Sequence, residues 1–154
     1  MGIGPSTKET SKYRFKDPLL KIISADEELN LVAVIVQGTP QSEREKQFSA
    51  YRSAAVIRSM RADGAIVTTD GWGNSNIDFA AALDALADMG IPACGTSFVG
   101  TAGKFVVHSP NLKDVIDINK SQSGTETCVL GENCLSELDA RKAVAMLKLK
   151  MRGK

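Results

Sequence analysis

The chain has 154 residues, 43% of them apolar and 24% charged, with a formal net charge of +1. That length and balance suit one folded domain that buries its own core without disulfides or metals, and they exclude a disordered chain. The basic residues near the end, Arg141, Lys142, Lys148, Lys150, Arg152 and Lys154, have no aromatic residues among them and read as a solvated helix face, so no nucleic-acid partner is expected.

Three cysteines, Cys94, Cys128 and Cys134, are odd in number and lack C-x-x-C spacing. No metal is expected, and a reducing, cytoplasmic compartment is the simpler setting. The longest unbroken apolar run, Leu31 to Val36, falls far short of the roughly 20 residues a membrane helix needs. The polar N-terminus has no apolar stretch that could act as a signal peptide. Gly2 to Ser6 fits an acylation pattern too short to be specific.

In chain order, residues 1–18 are Ser/Thr/Lys/Pro-rich without a period and read as a loosely held arm before a single α/β domain over 19–154. Leu19 to Ser24 is expected as a short edge strand. Leu29 to Val36, dominated by β-branched residues and too apolar to alternate, predicts a strand covered on both faces. Thr39 and Pro40 then predict the cap and first position of a helix to about Ala62, carrying Phe48, Tyr51 and Ala55 and then Val56, Ile57 and Met60 inward. Gly64 breaks it.

Ala65 to Thr69 predicts the second strand and Asp70 to Asn74 a turn. Ser75 and Asp78 are spaced as a capping box opening a helix that Gly90 stops. Ile91 to Phe98 predicts the third strand, and Phe105 to His108 and Val115 to Ile118 further strands or an added hairpin. A last helix begins at Ser136, capped by Asp139, with Ala140, Val144, Leu147 and Met151 inward. Repeated strand, helix, strand steps imply right-handed crossovers and an open, mostly parallel α/β sheet with helices on both faces, a Rossmann-like or flavodoxin-like three-layer form.

Ligands of such sheets bind beyond the carboxyl ends of the strands. Three segments are expected on that rim: Gln37 to Pro40, Asp70 to Asn76, and Cys94 to Lys104. The second is the most unusual, two glycines around the lone Trp72 at a strand end, before a helix whose first amides can hold an anion. A dinucleotide fingerprint would need glycine where Asn76 stands, and the Gly100 to Lys104 stretch lacks the Walker pattern. Two accounts of the turn stand open. In one, its glycines take positive φ and Asp70 caps a neighbouring amide. In the other, Asp70, Gly71, Trp72, Gly73, Asn74 and Asp78, with Thr96 and Ser97 from the next strand end, surround a small polar ligand.

His108, the sole histidine, has neither a nucleophile nor partner ligands beside it in sequence and reads as structural. Cys94 reads as a small buried hydrophobe. Cys128 and Cys134 are the weak candidates for a catalytic cysteine, and neither has an adjacent base.

Thr69-Asp70-Gly71-Trp72-Gly73-Asn74 with Asp78, the Asp117-Ile118-Asn119-Lys120-Ser121 to Gly124 segment, and Gly131-Glu132-Asn133 before the last helix resemble the D-proline reductase precursor family. More broadly they are similar to the component B subunits of glycine, sarcosine and betaine reductases, over about residues 29–152. The resemblance implies selenium-dependent reductive amino-acid fermentation in anaerobic bacteria. It also implies precursors that cleave themselves before a cysteine to leave a pyruvoyl group, and a partner subunit bearing selenocysteine. This chain is much shorter than such precursors and contains no selenocysteine, and only Thr127-Cys128 and Asn133-Cys134 offer junctions for cleavage.

The chain is therefore expected to carry no pyruvoyl cofactor and to act as an accessory member, inactive alone, with other amino-acid reductase subunits or a second copy of itself as partners. The alternative is a flavodoxin-like flavin- or nucleotide-binding electron carrier, in which Trp72 would stack on a ring system.

Overall fold

The computed structural model describes residues 17–69, 73–98, 105–123 and 135–153. The predicted arm falls almost wholly outside them. The described chain is an α/β structure: four α-helices accompany one open sheet of three parallel strands. The strands are β1 (Ala65–Thr69), β2 (Ala93–Ser97) and β3 (Val115–Asp117), in the order β1-β2-β3.

Helix α1 (Pro18–Ser24) replaces the expected edge strand. Asp17 accepts a hydrogen bond from the Leu19 amide at 2.9 Å and Pro18 occupies the first turn, a start signal that outweighs the β-leaning of Ile22 and Ile23. Leu19 and Ile22, three apart, are its buried residues.

Leu29 to Val36 forms no strand. Among the described residues no ladder pairs with it, and Val32, Val34 and Val36 are exposed. A β-branched run becomes a strand only where another strand accepts its backbone bonds.

Helix α2 (Glu43–Ser59) starts later than Thr39 and Pro40 suggested, on Ser42, whose hydroxyl accepts from the Glu45 amide. Its buried stripe is Lys46, Ala50 and Ala54, at spacing i, i+4, i+8, while Phe48, Tyr51, Ala55 and Val56 face solvent. The large residues were expected inward. Small side chains win because they let α2 lie close against the alanine-rich α3 (Asn74–Asp88).

Helix α2 ends before Gly64, with Arg61 in the left-handed region at φ 56° and the amides of Arg61 and Ala62 bonded to Arg58 and Ile57. Gly64 instead serves packing, since a Cβ there would lie 2.9 Å from Leu147 Cδ1. Helix α3 closes in the same motif with Gly90 at φ 70°, as its sequence suggested.

Strand β2 is buried along its whole length, as the middle strand of a covered sheet must be. Its register with β1 runs from Ala65 opposite Ala93 to Thr69 opposite Ser97, and with β3 from Gly95 opposite Val115 to Ser97 opposite Asp117. Thr69, Ser97 and Asp117 thus form one row at the carboxyl ends of the strands. β3 is parallel to β2, so the hairpin reading of this region is excluded. Phe105 to His108 is not a strand, and a short 3-10 turn, Pro110–Lys113, leads into β3.

Alternation along β2 sends neighbouring side chains to opposite faces. Gly95 lies against the Phe79 ring of α3, and Ala93 joins the same cluster. Cys94 turns the other way, its thiol donating to the Ala143 carbonyl of α4 (Glu137–Arg152), and Phe98 packs with α1 and α4 residues. Helix α4 starts at the predicted capping box. The Ser136 hydroxyl accepts from the Asp139 amide at 3.2 Å, and the Asp139 carboxylate accepts from the Ser136 amide at 3.1 Å.

Candidate functional site

At the carboxyl ends of the strands, Gly73 makes the N-cap of α3 with φ 69°, a backbone state that only glycine enters at little cost. No side chain caps this helix. The expected capping box is absent: Ser75 and Asp78 both lie inside the helix, and Asp78 bonds elsewhere. Its Oδ2 takes the Lys46 ammonium of α2 at 2.5 Å, with the two side chains 1% and 5% exposed.

Burying two charges is unfavourable unless each meets its partner closely, so this pair fixes the upper ends of α2 and α3 together. Lys46 had no place among the sequence-based candidates. The signal that could have found it is a lysine in register with Ala50 and Ala54, on a stripe otherwise made for close helix contact.

Among the described residues several buried polar atoms have no protein partner. Ser75 Oγ, both side-chain polar atoms of Asn76, Asp78 Oδ1, Thr96 Oγ1 and Ser97 Oγ are all buried and unpaired. Each such atom costs about 1–3 kcal/mol unless something outside the protein bonds to it, and native interiors hold few.

Helical and strand geometry group most of them. Ser75 and Asn76 precede Phe79 by four and three residues and share its sheet-facing side. Ser97 follows Gly95, the residue beneath Phe79, by two, on the same face and nearer the rim. Asp78 follows Ser75 by three, which carries the group around α3 toward Lys46. Thr96 faces the opposite side of the sheet with Cys94 and Phe98, and so stands apart.

Of the sequence-predicted ligand residues, Asp78 and Ser97 are buried, Gly73 supplies the helix cap, and Asn74 is exposed on the first turn. Asp70, Gly71 and Trp72 lie outside the described residues, as do Cys128, Cys134 and the Val99 to Lys104 part of the third rim segment. Thr39 lies at no strand exit, because the strand expected before it does not form. Asn76 was noted only for not being glycine, and it now stands among the buried, unpaired groups.

The remaining chemistry-bearing residues are quieter. Cys94 is a free thiol, and burial pushes it up to about 12, far from thiolate chemistry. His108 is exposed in an irregular segment. Among the described residues no group of three or more His, Cys, Asp or Glu side chains could hold a metal ion. No described helix is long and apolar enough to cross a membrane. A cavity of about 290 Å³ opens at the other end of the strands, lined by Leu83, Gly90, Pro92, Ala93, Asn111 and Lys150. It does not include the buried polar group.

The basic face of α4 is largely neutralised. Lys148 pairs with Asp26 at 2.6 Å, Lys150 with Asp114 at 2.5 Å and Arg152 with Glu28 at 2.9 Å.

Comparison with known proteins supplies the remaining context. The model of the family described as glycine/sarcosine/betaine reductase component B subunits matches residues 3–116. The chain is 40% identical over 146 residues to the D-proline reductase proprotein PrdA of Acetoanaerobium sticklandii, a match that covers 95% of this chain and 23% of that protein. It is 35% identical over 94 residues to the betaine reductase complex component B subunit alpha of Peptoclostridium acidaminophilum, covering 59% of this chain and 21% of that subunit. The chain thus spans less than a quarter of the length of either relative. No solved structure matches it. On the breadth of the family match, which takes in the predicted arm, α1, α2, β1, α3 and β2, the chain belongs to the glycine/sarcosine/betaine reductase component B family.

Proposed function

We propose that this chain serves an amino-acid reductase system of the D-proline type as an accessory member or subunit, inactive alone, with the rim at α3 holding a small amino acid or a reductase subunit. The observation that carries this reading is the coincidence of two facts. The chain is 40% identical to a D-proline reductase proprotein over nearly its whole length. Ser75, Asn76 and Asp78 in the first turns of α3 and Ser97 at the end of β2 carry buried polar atoms without partners among the described residues, and α/β proteins bind ligands beyond the carboxyl ends of their strands.

The scaffold is then a Rossmann-like or flavodoxin-like three-layer unit in the cytoplasm, and the reductive C–N bond chemistry belongs to the assembly. No step is assigned to a pyruvoyl group, because both junctions that could form one lie outside the described residues. The flavin-carrier alternative gains nothing from the geometry, since Trp72 also lies outside them.

The test is affinity capture with the tagged full chain from an anaerobe grown on proline. The expected result is recovery of identified reductase subunits, including one that carries selenocysteine. Their absence from the captured material, with the tagged chain folded and abundant, overturns the proposal.

A further inference from the structure

Every residue from 31 to 36 is apolar and exposed, and residues 29–40 lie in no helix, turn or ladder. Val32, Val34 and Val36 are 52%, 62% and 91% exposed. A solvent-facing run of this composition is a template for strand pairing, and proteins that keep such an edge to themselves guard it with charge or proline. This run has no guard. No charged residue stands between Glu28 and Glu43, and the first proline beyond it is Pro40. Its backbone groups and its apolar side chains both suit a second strand.

The order of residues in the run favours a strand identical to itself. Two copies that pair antiparallel about a two-fold axis must bring one residue opposite its own counterpart. With Val34 in that place, Val32 stands opposite Val36 of the second copy and Ala33 opposite its Ile35. The three valines then share one face, and on the other a small side chain meets a large one, with no charge trapped in either. A stable pair needs about 800 Å² from each partner. The run supplies part of it, and the exposed Phe48 and Tyr51 of α2, side chains of about 150–250 Å² each, extend it. The Ser49 hydroxyl, donating to the Gly38 carbonyl at 3.4 Å, holds α2 against the end of the run.

We propose that two copies of this chain associate through residues 31–36, which become an antiparallel strand pair centred on Val34. The run is a strand of the dimer, which is why it has strand composition and no ladder within one chain.

Light scattering of the full chain on a sizing column tests this. The expected mass is twice that of one chain at micromolar concentration, falling on dilution. Val34→Lys sets two ammonium groups face to face on the axis and should weaken association at least tenfold. Val106→Lys, at a valine 58% exposed in another segment, should leave it unchanged. Val32→Lys and Val36→Glu should each weaken it at least tenfold, and an equal mixture of the two should recover the dimer, because the new ammonium and the new carboxylate then stand opposite each other. Recovery also shows that both variants fold.

A parent chain that stays monomeric up to its solubility limit overturns the proposal, and leaves the run to β1 of its own chain or to a different subunit. A dimer that Val34→Lys leaves intact, or that Val106→Lys abolishes, overturns it as well. So does a mixture no more associated than its two components, which would place the contact in another register.

Discussion

Lys46 and Asp78 lie 32 residues apart on adjacent helices and meet at 2.5 Å with almost no exposure to water. The pair sits at the end of α2 and α3 that faces the carboxyl rim, so the element that orders the helix contact also borders the unpaired polar group.

Breaking it should therefore be costly. Lys46→Met leaves a buried carboxylate without its cation and should lower stability by about 3–5 kcal/mol. The double change Lys46→Met with Asp78→Leu should recover most of that loss, because an apolar pair of similar volume needs no solvation. Urea denaturation of the three proteins measures this, and a single variant as stable as the parent contradicts it.

Gly95 has a packing role. A Cβ at this position would overlap the Phe79 ring, with Cε2 only 2.9 Å away. Gly95→Ala should cost about 1–3 kcal/mol by forcing the ring from its place, where it stacks on Phe105 at 5.9 Å. Phe79→Leu should offset part of the penalty in the Gly95→Ala background and none in the parent. A thermal melt of Gly95→Ala that overlays the parent melt counts against this packing.

Arg61 carries strain that a sequence change can remove. It holds φ 56° at the end of α2, in the position that Gly90 fills at the end of α3. Arg61→Gly should raise stability by about 0.5–1 kcal/mol, the left-handed penalty less the added freedom of the unfolded chain. A decrease on chemical denaturation would show that the Arg61 side chain does more than tolerate the turn.

Asp139 sets an acid limit. Burial works to raise it, but the hydrogen bonds from Ser136 and Lys120 prevail and hold it below the ordinary carboxylate range. A carboxylate depressed in the folded state contributes stability above its unfolded value, near about 4, and loses that contribution as pH falls through the lower folded value. Asp139→Asn should cost about 0.5–2 kcal/mol at neutral pH as a lost cap. It should also flatten the fall in stability below about pH 4. An acid limb identical to the parent's would contradict the assignment.

The elements legible in the sequence were those whose signals are local. Ser136 with Asp139 marked the start of α4, Gly90 the end of α3, and the short runs around Val67 and Thr96 marked β1 and β2. What failed depended on neighbours. Leu29 to Val36 has strand composition, but a ladder is made by two chains of atoms, and the second is not encoded in the run itself. The outward face of α2 was misjudged because Phe48 and Tyr51 outweigh Ala50 and Ala54 on any hydrophobic scale, while close approach to α3 selects for smallness.

Asp78 and Ser97 were legible as residues beside a strand end, and both are buried there. Asp78 was given a capping role that Lys46 displaces, and Asn76 was passed over because burial, which makes its amide unusual, is invisible in one dimension.

The central proposal is that the rim at the start of α3 holds a small amino acid, and the Asn76 side-chain amide, buried there, reports on it directly. In a ¹⁵N-resolved NMR titration of the full chain with glycine, the Asn76 Nδ2 protons should shift in a saturable manner while those of exposed Asn74 stay in place. Asn76 resonances that remain fixed at saturating glycine, or that move no more than those of Asn74, would contradict the account.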